Sequence, residues 1–242
     1  MTASTLKWIA LVSMLADHIG CLLILLAKLP EAQSNPQLWH DSIFFLRSIG
    51  RTAFPVFAFL LVEGFRHTRS RKRYAVRLAI FALVSELPHY LFFSKIYATG
   101  TYQLNIGFTL LLLFCLMCGY KRIELWNNGK NRYMCLTAAC ILLAATCLAV
   151  RQLPIGYGYP GVLLCTIFYG VRHKVLQPIL GYLTIGIRSI FRVGYLLPFA
   201  LLAFYNEKPG KYYKSFFYLF YPGHLLVSVS YTHLTLPTIL RV

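Results

Sequence analysis

Apolar runs long enough to cross a lipid bilayer recur along the whole of this chain. A spanning helix needs roughly 20 mostly apolar residues, because lipid offers backbone N–H and C=O groups no partner outside their own helix. With 58% of its 242 residues hydrophobic and 13% charged, the chain is typical of an integral membrane protein and not of a soluble domain. The candidate spans are 6–29, 43–64, 76–93, 104–119, 133–150, 158–171, 175–187, 193–205 and 214–230.

The predicted fold is an all-α, polytopic transmembrane helix bundle with about eight or nine spans. The seventh and eighth candidates are short, which leaves broken, tilted or partly re-entrant helices open for them. We expect one integral membrane domain over residues 1–229, without internal repeats. The tail 230–242 turns polar and carries Pro237, which is unfavourable inside a helix. We therefore expect this tail to be non-native or truncated, and we assign His233 no function.

Positive charge alternates between successive loops of the predicted bundle. One set of loops holds fifteen Lys and Arg residues, against five in the other set. Under the positive-inside rule, the richer loops face the cytoplasm and the N-terminus lies on the same side. The formal charge of +17 is thus a sign of topology, so the lipid bilayer is an expected partner and nucleic acid is not.

The seven cysteines fall mostly inside predicted helices, where a thiol packs as a small apolar group. An odd number argues against a disulfide framework. Cys115 and Cys118 form a CxxC pair, but no second pair or histidine cluster accompanies them. We expect core packing there, and no metal site.

Ionisable and amide side chains interrupt several of the apolar runs. Such groups are rare at membrane depth and are usually functional. With a rise of about 1.5 Å per residue, five of them lie roughly 15 to 21 Å from the cytoplasmic ends of their spans. They are His18, Arg51, Glu86, Asn105 and His224, and Asp17 adjoins the first. The sequence predicts a shared polar cavity, because isolated charges facing lipid would be costly.

Alternatives remain open for each of these residues. Arg51 and Glu86 could form a purely structural ion pair between helices. Asp17 and His18 are about 100° apart on a helix, so one can face the cavity while the other pairs with a neighbouring helix. His18 is a candidate proton-transfer group. His224 is open between function and packing.

A basic cluster marks the predicted cytoplasmic edge of the second span. Its members are Glu63, Arg66, His67, Arg69, Arg71, Lys72 and Arg73. Topogenic charge and attraction to anionic lipid would explain the cluster. The functional interpretation is a dock for a phosphate-rich cytosolic donor, since arginine forks suit phosphate groups.

Four segments together resemble the TraX family. They are LKWIALVSMLADHIG at 6–20, LRSIGRTAFPVFAFLLVEGFRHTRSRKRYAVRLAIFALVSELPHYLFF at 46–93, NIGFTLLL at 105–112 and KSFFYLFYPGHLLV at 214–227. The family's blocks fall on Asp17, His18, Arg51, Glu63, His67, Arg69, Glu86, Asn105 and His224. One position departs from the family pattern, because Gly156 stands where an acidic residue is expected.

The resemblance implies a multi-pass protein of the bacterial cytoplasmic membrane that acetylates an acceptor. The best-known relative is a conjugative-plasmid protein associated with acetylating the N-terminus of F-type pilin. The implied acyl donor is cytosolic acetyl-CoA, and the acceptor is a pilin-like peptide N-terminus or a surface glycan. Related transmembrane acyltransferases deliver acyl groups toward acceptors at or beyond the membrane.

The resulting hypothesis assigns roles to the polar residues. His18 is the general base, oriented or tuned by Asp17, while Arg51 and Asn105 stabilise the oxyanion. Glu86 holds Arg51 or binds the acceptor. The predicted catalytic set also contains His224. The predicted donor-binding set is Glu63, Arg66, His67, Arg69, Arg71 and Arg73.

Transfer could be direct or could pass through an acyl-histidine intermediate. One alternative is a proton-coupled transporter or flippase that uses the same residues as a relay. Another is a noncatalytic assembly factor for surface appendages.

Overall fold

The computed structural model describes residues 1–27, 34–96, 102–127, 131–187, 189, 191–211 and 214–234. Within these residues the chain forms ten helices and no strand, so the all-α prediction is confirmed. The helices are α1 (Ala3–Leu26), α2 (Pro36–Gly50), α3 (Ala53–His67), α4 (Arg71–Ile96), α5 (Ile106–Asn127), α6 (Arg132–Gln152), α7 (Gly158–Gly170), α8 (Leu176–Ile185), α9 (Arg192–Ala203) and α10 (Lys214–Leu234). An isolated bridge pairs Leu104 with Ile155.

Five segments of the described chain are long and apolar enough to cross a membrane. They are Ala3–Leu26, Pro36–His67, Arg71–Ser94, Ile106–Trp126 and Arg132–Gln152. The helices α8 and α9 are apolar but shorter. The protein is therefore a helical membrane protein. The number of eight or nine spans and the cytoplasmic N-terminus stay predictions.

The second predicted span is broken into α2 and α3, and a proline explains the break. Pro55 has no N–H to donate to the carbonyl oxygen of Arg51, and its ring crowds that carbonyl. The helix therefore stops at Gly50 and restarts at Ala53. Asn35 begins α2, because its side chain accepts a hydrogen bond from the N–H of Leu38 at 3.3 Å. The break places Arg51 at a corner inside the bundle.

The helix α3 lies at the centre of the fold. It is apolar on nearly all sides, which is typical of a fully surrounded helix. Its aromatic rings pack edge-on against other helices: Phe65 meets Phe114 with 5.2 Å between ring centroids, and Phe59 meets Phe168 at 5.6 Å. At the periphery, only 6% of the most apolar stretch of α6 is buried, so the apolar surface of α6 faces outward.

The first turn of α1 is tied to the segment that precedes α10. The N–H groups of Ala3 and Ser4 donate to the carbonyl oxygens of Lys208 and Pro209 at 2.9 and 3.0 Å. The Ser4 hydroxyl donates to the carbonyl of Lys211 at 2.6 Å. These bonds satisfy N–H groups that a helix start leaves without intrahelical partners.

The C-terminal helix is longer than the sequence predicted. The span 214–230 becomes a helix that runs to Leu234; Pro222 lies inside it, and no further proline follows before Pro237. The first residues of the tail 230–242 thus continue α10. Residues 235–242 lie outside the described part of the chain.

Candidate functional site

A cavity of about 850 Å³ lies among α1, α2, α4 and the segments just before α5 and α7. We call it the histidine cavity, because His18 and His89 both line it. Its other ionisable lining residues are Asp17, Arg47, Arg51, Tyr90, Tyr102, Tyr157, Tyr195 and Tyr221. A polar cavity is therefore present, and three of the six predicted catalytic residues line it, Asp17, His18 and Arg51; Glu86, Asn105 and His224 are not among its described lining residues.

His18 is held by His224, and the hydrogen bonds fix the tautomers of both rings. His224 Nδ1 lies 2.7 Å from the carbonyl oxygen of Phe220, which can only accept, so this nitrogen carries the proton. With both rings neutral, His224 Nε2 is the acceptor for His18 Nδ1, at 2.6 Å. The lone pair of His18 is then on Nε2, which has no hydrogen-bond partner among the described residues. This is the arrangement of an oriented base.

Asp17 belongs to a different network from its neighbour. Its Oδ1 accepts from Arg51 Nη2, and its Oδ2 accepts from Arg47 Nη1 at 3.2 Å. The same Arg47 nitrogen lies 2.5 Å from Cys21 Sγ. Gly50 permits this close approach, because a Cβ at that position would overlap the Asp17 side chain. Asp17 makes no described hydrogen bond to His18, so the prediction that it orients His18 by direct contact is wrong.

Glu86 and Asn105 bond to each other and not to Arg51. Asn105 Nδ2 donates to Glu86 Oε2 at 2.5 Å and to the carbonyl of Ala82 at 2.7 Å, which uses both of its hydrogens. Asn105 Oδ1 accepts from the N–H of Gly107 at 2.7 Å and so caps α5. Among the described residues Glu86 is therefore paired with Asn105 and not with Arg51, while the oxyanion role of Asn105 stays a prediction. Neither Glu86 nor Asn105 is among the described residues that line the histidine cavity.

Sequence reasoning missed several residues of this cavity. A signal existed for Arg47, because it lies four positions before Arg51, on the same helical face. His89 lies inside a predicted span and could have been found by the depth argument. Tyr157 gave no such signal, because its place depends on a left-handed backbone, with φ of 65°, and on stacking against Phe54 at 3.7 Å between ring centroids.

A second cavity, of about 710 Å³, lies toward the other end of the bundle. We call it the basic cavity, since three cations line it. They are Lys7, Arg69 and Arg77. On α1 it touches residues 3–14, while the histidine cavity touches 14–18. On α4 the corresponding stretches are 74–81 and 89–94.

The predicted donor-binding residues divide into two groups at the basic cavity. Glu63, His67 and Arg69 line it. Arg66 turns away, because its guanidinium donates to Glu63 Oε1 at 2.6 Å and to the carbonyls of Phe168 and Tyr169 at 2.8 and 3.0 Å.

The two remaining members of the predicted set lie outside the described lining of the basic cavity. The Arg71 guanidinium lies 4.9 Å from the centroid of the Phe65 ring. Arg73 is exposed at the start of α4. The predicted set omitted Lys7, which is distant in sequence from the cluster, and Arg77, which lies one helical turn after Arg73 on α4.

Charge balance favours an anion in the basic cavity. Its two carboxylates are partly neutralised: Glu63 pairs with Arg66, and Glu207 lies 3.9 Å from Lys174. Tyr205 also lines this cavity, and its hydroxyl can donate a hydrogen bond.

The two cavities share a wall. Met14, Phe57, Ile106 and Tyr221 line both of them. Among the residues with described placement, no group of three or more His, Cys, Asp or Glu side chains could hold a metal ion. The site is thus two polar chambers that meet at a mostly apolar partition.

In a comparison with known protein families, residues 2–230 match the model of the TraX protein family. The chain belongs to the TraX family. The resemblance seen in its sequence blocks is thereby confirmed. The TraX-family chain is also 28% identical, over 250 aligned positions, to a probable fimbrial assembly protein FimC, serogroup H1, of Dichelobacter nodosus. That alignment covers 95% of each chain. No solved structure matches this TraX-family chain.

Proposed function

We propose that this TraX-family chain is an acyltransferase of the bacterial cytoplasmic membrane that moves an acetyl group from cytosolic acetyl-CoA to an acceptor hydroxyl or amine. The observation that carries the proposal is the pairing of two chambers across one wall. One chamber holds an oriented imidazole base, and the other has the cations that a polyphosphate donor requires.

In the proposed reaction His18 Nε2 takes the proton of the acceptor as its oxygen or nitrogen attacks the thioester carbonyl. The new bond forms at the carbonyl carbon, the C–S bond breaks, and the proton leaves with the CoA thiolate. His224 keeps His18 in the tautomer that this step requires. Direct transfer needs no covalent enzyme intermediate. In the alternative route, the acetyl group is first attached to His18 Nε2 and then passes to the acceptor.

The developing oxyanion needs preorganised donors. Arg51 is the proposed donor, because Pro55 fixes its corner and Asp17 holds its guanidinium in place. Tyr157 and Tyr195 line the same chamber and can add hydroxyl donors. This set replaces the predicted contribution of Asn105.

The donor would bind with its phosphates at Arg69, Arg77 and Lys7 in the basic cavity. Arginine forks match phosphate oxygens, while an ammonium acts as a point charge. The thioester would reach the shared wall beside Met14 and Tyr221. Only the acetyl group then needs to pass into the histidine cavity.

The name of the FimC relative supports a role near fimbrial subunits. A pilin-like N-terminus and a surface glycan are the candidate acceptors. The same name supports a second candidate function, that of a noncatalytic assembly factor. In that case the His18–His224 pair would serve packing alone.

The deciding experiment compares wild type, His18→Ala and His40→Ala in detergent with radiolabelled acetyl-CoA. His40 is exposed on α2 and serves as the matched control. We expect saturable CoA binding in all three proteins and thioester turnover that only His18→Ala loses. Turnover that survives in His18→Ala would overturn the mechanism, and well-folded wild type without CoA binding would favour the assembly factor.

A further inference from the structure

His89 is a buried histidine of the histidine cavity that the proposed reaction does not use. It lies on α4 and is only 9% exposed, yet it lines the cavity. Its Nδ1 is buried without a hydrogen-bond partner, and neither ring nitrogen bonds to a described residue. A buried polar side chain without a partner is costly to fold and calls for an explanation.

The position of His89 relates it to the proposed base. Its ring lies 4.5 Å from the ring of Phe93, measured between centroids. The ring of His18 lies 5.8 Å from the same phenyl ring. Because Phe93 lies beside both imidazoles and both line one cavity, a molecule of monosaccharide size bound at His89 can extend toward His18.

Charge in the cavity restricts what such a molecule can be. Two guanidinium groups line the cavity, those of Arg47 and Arg51, and both oxygens of Asp17 are occupied by them. No other carboxylate lines the cavity among the described residues. An ammonium group would therefore meet surplus positive charge without an available counter-ion.

The aromatic lining also restricts the ligand. Tyr90, Tyr102, Tyr157 and Tyr195 supply ring faces and hydroxyl groups around the same space. Such surfaces suit a compact, uncharged molecule with several hydroxyl groups, because apolar ring faces and convergent polar groups alternate around it.

We infer that His89 binds the acceptor of this reaction, and that the group it receives is an uncharged hydroxyl of a sugar-like polyol. His89 would hold one hydroxyl while another hydroxyl of the same molecule meets His18 Nε2. The inference rests on the proposed acyltransferase function, which it deepens by choosing a hydroxyl acceptor over an ammonium-bearing peptide N-terminus.

The test uses full-length protein in detergent with two probes, methyl α-glucopyranoside as the hydroxyl acceptor and alaninamide as the amine acceptor. His89→Leu removes both ring nitrogens, His89→Gln keeps a polar atom near Nε2, and His40→Leu is the matched control on an exposed histidine. Acetyl transfer from radiolabelled acetyl-CoA is measured together with acceptor-independent thioester hydrolysis. Glycoside binding is measured separately by saturation-transfer NMR, without any donor.

The expected result is transfer to the glycoside by wild type, with a KM that rises about tenfold or more in His89→Leu and partly recovers in His89→Gln. Thioester hydrolysis should be unchanged in both variants. An unchanged glycoside KM in His89→Leu, or alaninamide as the better acceptor, would overturn the inference. If no protein cleaves the thioester, the proposed function fails; NMR binding that only the His89 variants lose would still support the polyol site.

Discussion

Asp17 and His18 are adjacent in the chain but belong to separate networks. Successive residues on a helix point about 100° apart, so Asp17 faces α2 while His18 faces α10. The sequence could predict this divergence and the depth of both residues. It could not predict the partners, because these depend on close approaches such as that of Asp17 to Gly50.

Replacing His224 tests whether the hydrogen bond to His18 matters for chemistry. His224→Leu removes the acceptor that fixes the tautomer of His18. We expect acetyl-CoA turnover to fall by about a hundredfold while CoA binding is retained. Ser228→Ala is the control on the same helix, because it removes only a hydroxyl bonded to the His224 carbonyl. Equal turnover in both variants would contradict the proposed role.

Gly50→Ala tests the arginine–aspartate network. The added Cβ would displace Asp17 and leave the guanidiniums of Arg47 and Arg51 without their partly buried partner. We expect the free energy of unfolding to fall by about 3 kcal/mol. Thermal unfolding in detergent measures the effect. Gly170→Ala is the matched control, because its added Cβ meets nothing within 4 Å; similar melting temperatures for the two variants would count against the network.

At the scale of elements, the helices were predictable and their interruptions were less so. All nine apolar runs correspond to helical segments, because burial of apolar side chains and backbone hydrogen bonding act along each run. The break between α2 and α3 was missed although Pro55 was visible in the sequence. Hydropathy averages over such a break, since most residues around it, Arg47 and Arg51 excepted, are apolar or small.

The contact of α9 with α2 gives a prediction at this scale. Gly194 lies so close to the backbone carbonyl of Ser48 that a Cβ would overlap it. Because backbone cannot rotate away as a side chain can, Gly194→Ala should separate the two helices and destabilise the protein by about 2 kcal/mol. Cysteine cross-linking between α2 and α9 in membranes would report the separation. Cross-linking equal to that of the parent would show that the helices tolerate the methyl group.

At the scale of the whole molecule, composition predicted a membrane protein but could not predict the two cavities. A cavity depends on which helices are neighbours, and neither helix order nor loop length determines that. The depth argument found residues of the histidine cavity, because a common depth is necessary for contact. It overestimated the set, since Glu86, Asn105 and His224 were assigned the same depth but are not among the described lining residues.

The basic cavity gives a prediction that distinguishes CoA binding by arginines that line the cavity from attraction by arginines that are only near it. Replacing Arg69 and Arg77 together by Gln should weaken CoA binding by about a hundredfold at low salt, and by less at high salt. Arg73→Gln is the control, because Arg73 belongs to the same basic cluster but lies outside the described cavity lining. Isothermal titration with CoA measures both. An equal loss in the control would mean that general surface charge attracts the donor.

The partition formed by Met14, Phe57, Ile106 and Tyr221 has an electrical consequence. If solvent fills both chambers in an energised membrane, most of the transmembrane voltage falls across this thin layer. A unit charge that crosses 100 mV gains or loses about 2.3 kcal/mol. In each turnover the acetyl group crosses in one direction and the acceptor's proton returns to the CoA thiolate in the other, so no net charge crosses, and the charged carrier stays on its own side. The turnover of such an enzyme would therefore be insensitive to the state of energisation of the cell.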